Sequence, residues 1–306
     1  MRPAWSFAPP EPAEAVIRTQ LGGAYHGDAL ALVMSVPSDS VDTIITSPPF
    51  ALRRKKPYGN VDAERYLDWF RPFARQFRRV LKPRGSLLFE LGGVWNRGSP
   101  TRSLYHYELL LDLCTTHRFH LAQEFYCYNR AKLPTPAQWV TVRRVRVKDA
   151  VSTVWWLSKS KNPKASNRRV LSPYSASMVS LLEDDYSPGV RPSGHRISRK
   201  FRRDNKGAIP PNLLVFSNTA SNSHYLRRCR QSGLAPHPAR FPREVPEFFI
   251  KLLTTKGDLV LDPFAGSCVT GAVAEELQRR WLCFEIRREY LEGARFRFEP
   301  SAGETV

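Results

Sequence analysis

The sequence lacks an apolar run long enough to cross a membrane. No stretch approaches the roughly 20 consecutive apolar residues that a spanning helix needs. The first fifteen residues, MRPAWSFAPPEPAEA, lack the apolar segment of a signal peptide. Cysteine is scarce, with five in 306 residues, so this is not a disulfide scaffold. These absences favour a reduced, cytoplasmic setting.

Acidic side chains are also in deficit. The chain has 28 Asp and Glu against 47 Lys and Arg, which leaves a formal net charge of +19. Because Lys and Arg that neutralise phosphates release counterions, such a surplus favours a polyanionic partner. A merely soluble basic protein is the alternative interpretation. An anionic membrane is disfavoured, since the sequence contains no amphipathic basic helix and no lipidation motif.

One group of residues has the spacing of metal ligands. Cys114, His117 and His120 are close in sequence, but no convincing fourth ligand lies near them. We therefore predict no metal site.

Hydrophobic patterning predicts an α/β protein. Val41–Thr46 is typical of a short buried strand, and apolar residues recur at helical spacing between Asp62 and Gly85. Further strands are predicted at Ser86–Leu91, at 119–129 and at 153–159, with a helix at 104–117. This alternation predicts a doubly wound, mostly parallel sheet.

A polar, basic region interrupts the pattern. It contains KSKNPKASNRRV and GVRPSGHRISRKFRRDNKG, and its roughly 80 residues are too many for a plain connection in a compact fold. The pattern resumes with a helix at Glu244–Leu253 and a strand at Leu259–Leu261. We predict a flexible tail at 1–20, α/β halves at 21–159 and 237–298, an insertion at 160–236 and a C-terminal tail at 299–306.

The second α/β half contains a candidate cofactor segment, Gly257–Ile286. It has the pattern of a strand, a small-residue turn, a helix and a second strand that ends in Glu285. In doubly wound sheets such a turn allows close ligand approach, and an acid about 20 residues later binds ribose hydroxyls. Pro263 and the absence of G-x-G-x-x-G favour a nucleoside-like cofactor without a pyrophosphate. An ordinary strand–turn–helix unit is the alternative.

The first strand ends in a candidate catalytic tip, Ser47-Pro48-Pro49-Phe50. Two prolines contribute no N–H donors, so carbonyl and hydroxyl acceptors dominate next to an aromatic face. Such a site suits a planar heterocycle with an exocyclic amino group, because the acceptors stabilise the positive charge that grows as the amine attacks an electrophile. The alternative is a turn at a strand end with a purely structural role.

Together, three motifs resemble those of a known family. TSPPF, followed far downstream by HPARFP and LDPFAGS, is similar to the β-class amino-methyltransferases of DNA, and closer to the PvuII-type N4-cytosine methyltransferases. The similarity runs from roughly Ala24 to Phe298 through SPPFALRRKKPYGN, RVKDAVSTVWWLSK, RPSGH and DNKGAIPPNLL. It implies a Rossmann-like fold that binds S-adenosyl-L-methionine, with 160–236 as the target-recognition region. The implied activity is methyl transfer to N4 of a flipped cytosine in DNA.

The resemblance also implies roles for individual residues. The target base would be held by Ser47, Pro48, Pro49 and Phe50. Glu285 would bind the ribose of the cofactor and Asp28 would lie near its adenine, in a set completed by Thr46, His237, Pro238, Arg240, Phe241, Pro242, Asp262, Pro263, Phe264, Ala265, Gly266 and Ser267. DNA would be bound by Arg53, Arg54, Lys55, Lys56, Arg191, Ser193, His195, Lys200, Arg202 and Arg203. One departure is Cys268, at a position where many relatives carry Gly or Asn.

The implied partner is double-stranded DNA, and the implied location is the bacterial cytosol at the nucleoid. A cognate restriction endonuclease would be a functional partner without a stable complex, and the protein would be a monomer or a weak homodimer. N6-adenine methylation is the nearest rival, although those enzymes usually carry Asp or Asn where this chain has Ser47. C5 methylation needs a cysteine after a proline, which the chain lacks. A DNA-binding relative without catalysis is the third alternative.

Overall fold

A nine-stranded mixed sheet organises the chain. The computed structural model describes residues 14–52, 56–183, 189–190, 192–194, 196–197, 203–216 and 223–299. Numbered along the sequence, the strands of this sheet lie in the order β1-β2-β11-β10-β3-β4-β6-β5-β9. A separate two-stranded ribbon pairs β7 with β8.

The bounds of the elements follow. The strands are β1 Glu14–Arg18, β2 Gly22–His26, β3 Val41–Thr46, β4 Leu81–Glu90, β5 His120–Asn129, β6 Val151–Ser158, β7 Gly189–Val190, β8 Arg196–Ile197, β9 Leu213–Phe216, β10 Leu259–Asp262 and β11 Arg280–Glu285. The helices are α1 Ala29–Ser35, α2 Tyr66–Val80, α3 Tyr105–Thr115, α4 Ala176–Glu183, α5 His224–Gln231, α6 Glu244–Leu253, α7 Val269–Glu276 and α8 Arg288–Ala294.

The centre of the sheet is parallel. Strands β2, β11, β10, β3 and β4 run in one direction, whereas β1 and β6 are antiparallel to their neighbours. From β3 the chain continues to β4 on one side, and from β10 it continues to β11 on the other. The boundary between β3 and β10 is therefore the switch point of the sheet, where ligands of doubly wound folds bind. The predicted fold class is confirmed.

Helix α2 covers this sheet with the apolar stripe predicted from its sequence. Tyr66, Phe70, Phe77 and Val80 are fully buried, and the charged side chains of the same helix lie on its other face. Phe70 packs edge-on against Phe89 of β4, with ring centroids 5.0 Å apart. This packing holds α2 against β4, the strand next to β3, which ends at the candidate catalytic tip.

Part of the predicted N-terminal tail is ordered structure, so that boundary was wrong. Glu14–Arg18 forms β1, an antiparallel edge strand on β2, in which Val16 and Ile17 are buried. The apolar pair is too short to stand out in the sequence. It forms a strand because β2 offers an edge to pair with.

The chain divides into two compact units. One comprises Met1–Ala165 and Asn212–Val306, and the other is Ser166–Pro211. The second unit is shorter than the predicted insertion, because β9 pairs with β5 in the large sheet and α5 packs on α8. In the described part of the chain, no helix is long and apolar enough to span a membrane.

Candidate active site at the carboxyl edge of the sheet

A buried carboxyl group joins the ends of the two central strands. Asp262, the last residue of β10, is 2% exposed, and one of its oxygens accepts a hydrogen bond from Thr46 Oγ1 of β3 at 3.0 Å. The same oxygen accepts from the Phe264 backbone N–H at 3.2 Å, and the other oxygen accepts from Thr270 Oγ1 at 2.7 Å. Burial raises the pKa of Asp262 to about 6, although these hydrogen bonds oppose the shift. The carboxyl group thus holds the TSPPF tip beside the DPFAG turn.

The hydroxyl group of the catalytic tip meets an acid that sequence reasoning missed. Ser47 is hydrogen-bonded to the side chain of Glu90, the last residue of β4. Burial raises the pKa of Glu90, while hydrogen bonds from Ser47 and Ser152 and the charge of Lys132 lower it. Because Thr46 pairs with Phe89 across the parallel ladder, the next residues along the two strands are Ser47 and Glu90. The register of β3 on β4 would have revealed the pair.

The proline pair places two backbone carbonyls next to an aromatic ring. The Pro49 carbonyl accepts a hydrogen bond from Tyr66 Oη at 2.9 Å, which ties the tip to α2. No donor within the described ranges is paired with the Pro48 carbonyl. The ring of Phe50 packs against the backbone of Gly92, where a Cβ atom would lie 2.7 Å from its Cε2. Gly92 is therefore part of the wall that positions Phe50.

Glu285, the residue predicted to bind the ribose, is hydrogen-bonded to the small-residue turn after β10. The backbone N–H of Gly266 donates to Glu285 Oε2 at 2.8 Å, and that of Arg287 donates to Oε1 at 2.9 Å. Gly266 has φ +53°, a conformation that favours glycine. Burial raises the pKa of Glu285 to about 7, and the charge of Asp262 adds to the rise. The carboxyl group of Glu285 is thus held by neutral donors within the described part of the chain.

The predicted adenine-side residue lies at the same edge. Strand β2 pairs with β11 so that His26 faces Glu285, and the Gly27 N–H donates to the Glu285 carbonyl at 3.0 Å. Asp28 follows at once and caps α1, where its side chain accepts from the Ala31 N–H at 2.9 Å. The structure therefore brings Asp28 to the strand end beside Glu285.

Histidine 237 packs on the turn. A Cβ atom on Gly266 would lie 3.0 Å from the His237 ring, which also stacks on Tyr58 with centroids 5.4 Å apart. Tyr290 meets the same ring edge-on at 4.6 Å. Burial lowers the pKa of His237 to about 4, so its imidazole is neutral at physiological pH. Tyr58 is a second residue that sequence reasoning missed, although it lies in the KPYGN part of the motif.

The remaining cofactor candidates surround the turn at different distances. Arg240 donates to the His237 carbonyl at 2.6 Å, and Arg297 holds Ser267 through its carbonyl at 2.7 Å and its hydroxyl at 3.1 Å. Pro263 and Ala265 are buried, and Phe264 packs against Phe73 of α2. Of the rest, Pro238, Phe241 and Pro242 follow His237 in the segment before α6, where Pro238 is exposed and Phe241 and Pro242 are half-buried.

Most of the predicted DNA-binding residues lie outside the described ranges. These are Arg53, Arg54, Lys55, Arg191, His195, Lys200 and Arg202. Lys56 is described and opens a turn, where its carbonyl accepts from the Gly59 N–H at 2.9 Å. Ser193 and Arg203 are exposed in the smaller unit. Among the residues that can be searched, no group of three or more His, Cys, Asp or Glu could hold a metal ion.

Comparison with known proteins places this site in a family. A family model described as DNA methylase matches residues 41–296. The chain belongs to the DNA methylase family. It is 49% identical to the type II methyltransferase M.PvuII of Proteus hauseri over 92% of this chain and 84% of that protein.

Solved structures agree with this assignment. The structure of the cytosine-N4-specific PvuII DNA methyltransferase matches with a TM-score of 0.78 and 42% identity, over 95% of this chain and 91% of that one. The protein TTHA0409 of Thermus thermophilus, solved in complex with S-adenosyl-L-methionine, shares the fold. Its TM-score is 0.54 at 20% identity, with coverage of 89% of this chain and 92% of that one.

The raised pKa of Asp262 generates a stability prediction. Because its pKa is higher in the folded state than in the unfolded state, its stabilising contribution is complete below about pH 4 and is lost as the pH rises through about 6. We expect Asp262→Asn to remove this dependence. Relative to the variant, the wild type should lose on the order of 2 kcal/mol of unfolding free energy across that interval. Urea unfolding of both ligand-free proteins at several pH values measures the difference, and parallel curves would contradict it.

Proposed function

We propose that the protein transfers a methyl group from S-adenosyl-L-methionine to the exocyclic N4 of a cytosine extruded from duplex DNA. The observation that carries the proposal is the Ser47–Glu90 pair, next in sequence to Pro48, whose carbonyl has no donor within the described ranges, and near a nucleoside-type turn. The 42% identity to the cytosine-N4-specific PvuII DNA methyltransferase structure supports the choice of cytosine N4. Acting as a monomer or weak homodimer, the protein would serve restriction–modification or another form of DNA marking.

The tip offers a path for the proton that the amine must lose. The amino nitrogen of cytosine has a delocalised lone pair, and acceptors on its hydrogens favour a pyramidal, nucleophilic form. The Pro48 carbonyl and the Ser47 hydroxyl oxygen are the acceptors. As the N–C bond forms and the methyl–sulfur bond breaks with its electron pair left on sulfur, Ser47 takes a proton from N4 and passes its own to ionised Glu90. Phe50 stacks on the extruded ring, a contact worth roughly 1–3 kcal/mol.

The donor set at the neighbouring turn fits S-adenosylmethionine. When bound, this cofactor supplies a methyl group made electrophilic by its sulfonium. The carboxyl group of Glu285 would accept the ribose hydroxyls, and Asp28, at the next strand end, would lie near the adenine. Gly266 lets the chain approach the ligand closely, and neutral His237 packs behind it. The acids of the site favour a cationic ligand that brings no phosphate.

Carbon-5 methylation is disfavoured by the thiol at this edge. This thiol is that of Cys127. Its burial, and to a lesser extent the negative charge of Glu90, raise the pKa of Cys127 to about 12. A thiol with such a pKa is protonated at physiological pH and is not the thiolate nucleophile that the reaction needs. N6-adenine methylation, on the same fold, is disfavoured by Ser47 in place of Asp or Asn.

The smaller unit is the natural candidate for reading the DNA sequence. Ser166–Pro211 is compact, carries Arg203 and Ser193 exposed, and within the described ranges contributes no strand to the large sheet. Removal of Ser166–Pro211 leaves β9 and α5 in place, unlike removal of the whole predicted insertion. We propose that this unit selects the target, and that the large unit carries out the chemistry.

The central experiment identifies the methylated atom. DNA treated with the protein and S-adenosylmethionine is digested and compared by mass spectrometry with N4-methylcytosine, 5-methylcytosine and N6-methyladenine standards. We expect N4-methylcytosine, and Ser47→Ala should lower the methylation rate by about a hundredfold or more, as for loss of a proton-transfer group. Its affinity for the cofactor should stay near the wild-type value. Methyl groups on adenine or on carbon 5 would refute the proposal.

A second prediction concerns the pH dependence of the rate. Glu90 must be ionised to accept the proton, so the rate should rise with pH through its raised pKa and then level off. Because the charge of Lys132 lowers that pKa, Lys132→Gln should move the acidic limb of the profile to higher pH. Glu90→Gln should abolish the limb together with most of the rate. An unmoved profile in Lys132→Gln would show that Glu90 is not the titrating group.

A third prediction concerns the cofactor. Since the pKa of Glu285 is raised to about 7, the carboxyl group is partly protonated near neutral pH, and only its ionised form accepts both ribose hydroxyls. Affinity for S-adenosylmethionine should therefore increase by up to about tenfold from about pH 6 to about pH 8. Glu285→Gln should bind more weakly and lose this dependence. Titration of the cofactor's own groups affects its binding to the wild type and to Glu285→Gln equally. The difference between the two affinities, measured by calorimetry at each pH, therefore gives the contribution of Glu285.

A further inference from the structure

A basic loop with no assigned role rises from the catalytic edge. Residues 130–150 connect β5 to β6 and are called here the β5–β6 loop. They contain six cations and one carboxylate, in a run that ends VTVRRVRVKDA. Among the cations, Arg130, Lys132, Arg143, Arg144 and Lys148 are exposed. Three valines between them are also open to solvent, Val142 at 68%, Val145 at 54% and Val147 at 84%.

The C-terminal end of the β5–β6 loop is held by contacts with the segment after β4. The guanidinium of Arg146 lies over the Trp95 ring at 3.7 Å, and that of Arg102 lies over the same ring at 5.1 Å. Asp149, the only acid of the loop, pairs with Arg102 at 2.5 Å. The segment after β4 therefore holds the end of the loop in place. This anchor uses Arg146 and Asp149, and it leaves the other cations of the loop without a carboxylate from the loop itself.

The loop stands on the side from which DNA must reach Ser47. Glu90 of β4 pairs with Val154 of β6, which in turn pairs with Phe125 of β5. Strand β5 runs four residues beyond that row to Asn129, roughly 13 Å at the rise of a strand. The loop thus begins above the row that contains Glu90, at the edge where β3 presents the catalytic tip. Duplex DNA that delivers a base to Ser47 lies across this edge.

Two cations of the loop are available to a ligand. Arg143 stacks on Trp139 at 5.1 Å, and Arg144 is exposed beside it. Within the described ranges, neither side chain has an acidic partner within ion-pair distance. Lys148 is committed to the loop, since its ammonium donates to the carbonyls of Arg130 and Lys132 at 3.4 and 3.2 Å. A pair of exposed arginines between exposed valines suits phosphates flanked by apolar sugar faces.

We propose that Arg143 and Arg144 of the β5–β6 loop bind backbone phosphates of the DNA next to the extruded base. The proposal rests on the proposed function for the identity of the polyanion. An acidic protein segment would match the charge equally well. Duplex DNA is favoured because the loop is anchored at the edge where the target base must enter. A second copy of this chain is disfavoured by the net charge of +19.

The test compares two charge-matched double variants. Arg143→Gln/Arg144→Gln removes two charges from the loop. The control, Arg118→Gln/Lys256→Gln, removes two from exposed positions at the opposite edge, before β5 and before β10. Binding of a duplex is measured by fluorescence anisotropy over a series of salt concentrations. Both variants should retain wild-type affinity for S-adenosylmethionine and wild-type thermal unfolding, which establishes that they fold.

Loss of two phosphate contacts should reduce the slope of log K against log salt concentration by about 1–2 in the loop variant. Its DNA affinity near physiological salt should fall by about tenfold or more, while the control keeps the wild-type slope. Equal slopes in the wild type and the loop variant, or equal losses in both variants, overturn the proposal. If the wild type methylates cytosine N4 and the slopes are equal, only the loop assignment fails. Failure of the wild type to methylate DNA overturns the proposed function itself.

Discussion

The site depends on one hydrogen-bonded carboxyl group, that of Asp262. Its bond to Thr46 spans 216 positions of sequence and joins the strand that ends in Ser47 to the strand that ends in the DPFAG turn. The bonds to Thr270 and to the Phe264 N–H fix the start of α7 and the first residue of the turn. A catalytic group must be held within a fraction of an ångström of its productive geometry. Asp262 supplies that constraint between two halves of the chain that the sequence keeps far apart.

Local sequence patterns correctly predict the elements and strand ends that depend on neighbouring residues alone. Val41–Thr46 and Glu244–Leu253 have the predicted bounds, and the proline pair and small-residue turn mark the strand ends correctly. Glu90 and Tyr58 could not be found this way, because their roles follow from the pairing of β4 with β3 and from the packing of His237. Strand β1 was missed for a similar reason, since two apolar residues become a strand only when β2 offers an edge.

Cys268 has an unusual backbone conformation for a residue other than Gly or Asn. It has φ +55° at the start of α7, in the left-handed region that Gly and Asn adopt readily and that costs other residues roughly 1–2 kcal/mol. Gly or Asn, the residues that the family resemblance implies at this position, would therefore adopt this turn more readily. In this chain the side chain of Cys268 is fully buried and its thiol is hydrogen-bonded to Cys283, and these contacts offset the conformational cost. The turn is specified by the backbone, and Cys268 tolerates it.

Positive and negative charges lie in different parts of the molecule, and each suits one of the two substrates, DNA and the methyl donor. The chain is strongly cationic, whereas three carboxyl groups with raised pKa values, Glu90, Asp262 and Glu285, stand together at the carboxyl edge. In the part of the chain that the structure describes, none of the three forms an ion pair, and each depends on neutral donors. Burying such groups costs stability, which is the usual sign of a functional arrangement. A cationic methyl donor is attracted inward by the acids, while polyanionic DNA is retained outside by the arginines and lysines. The flipped base, which is neutral, is the one part of the DNA that can enter the acidic site without an electrostatic penalty.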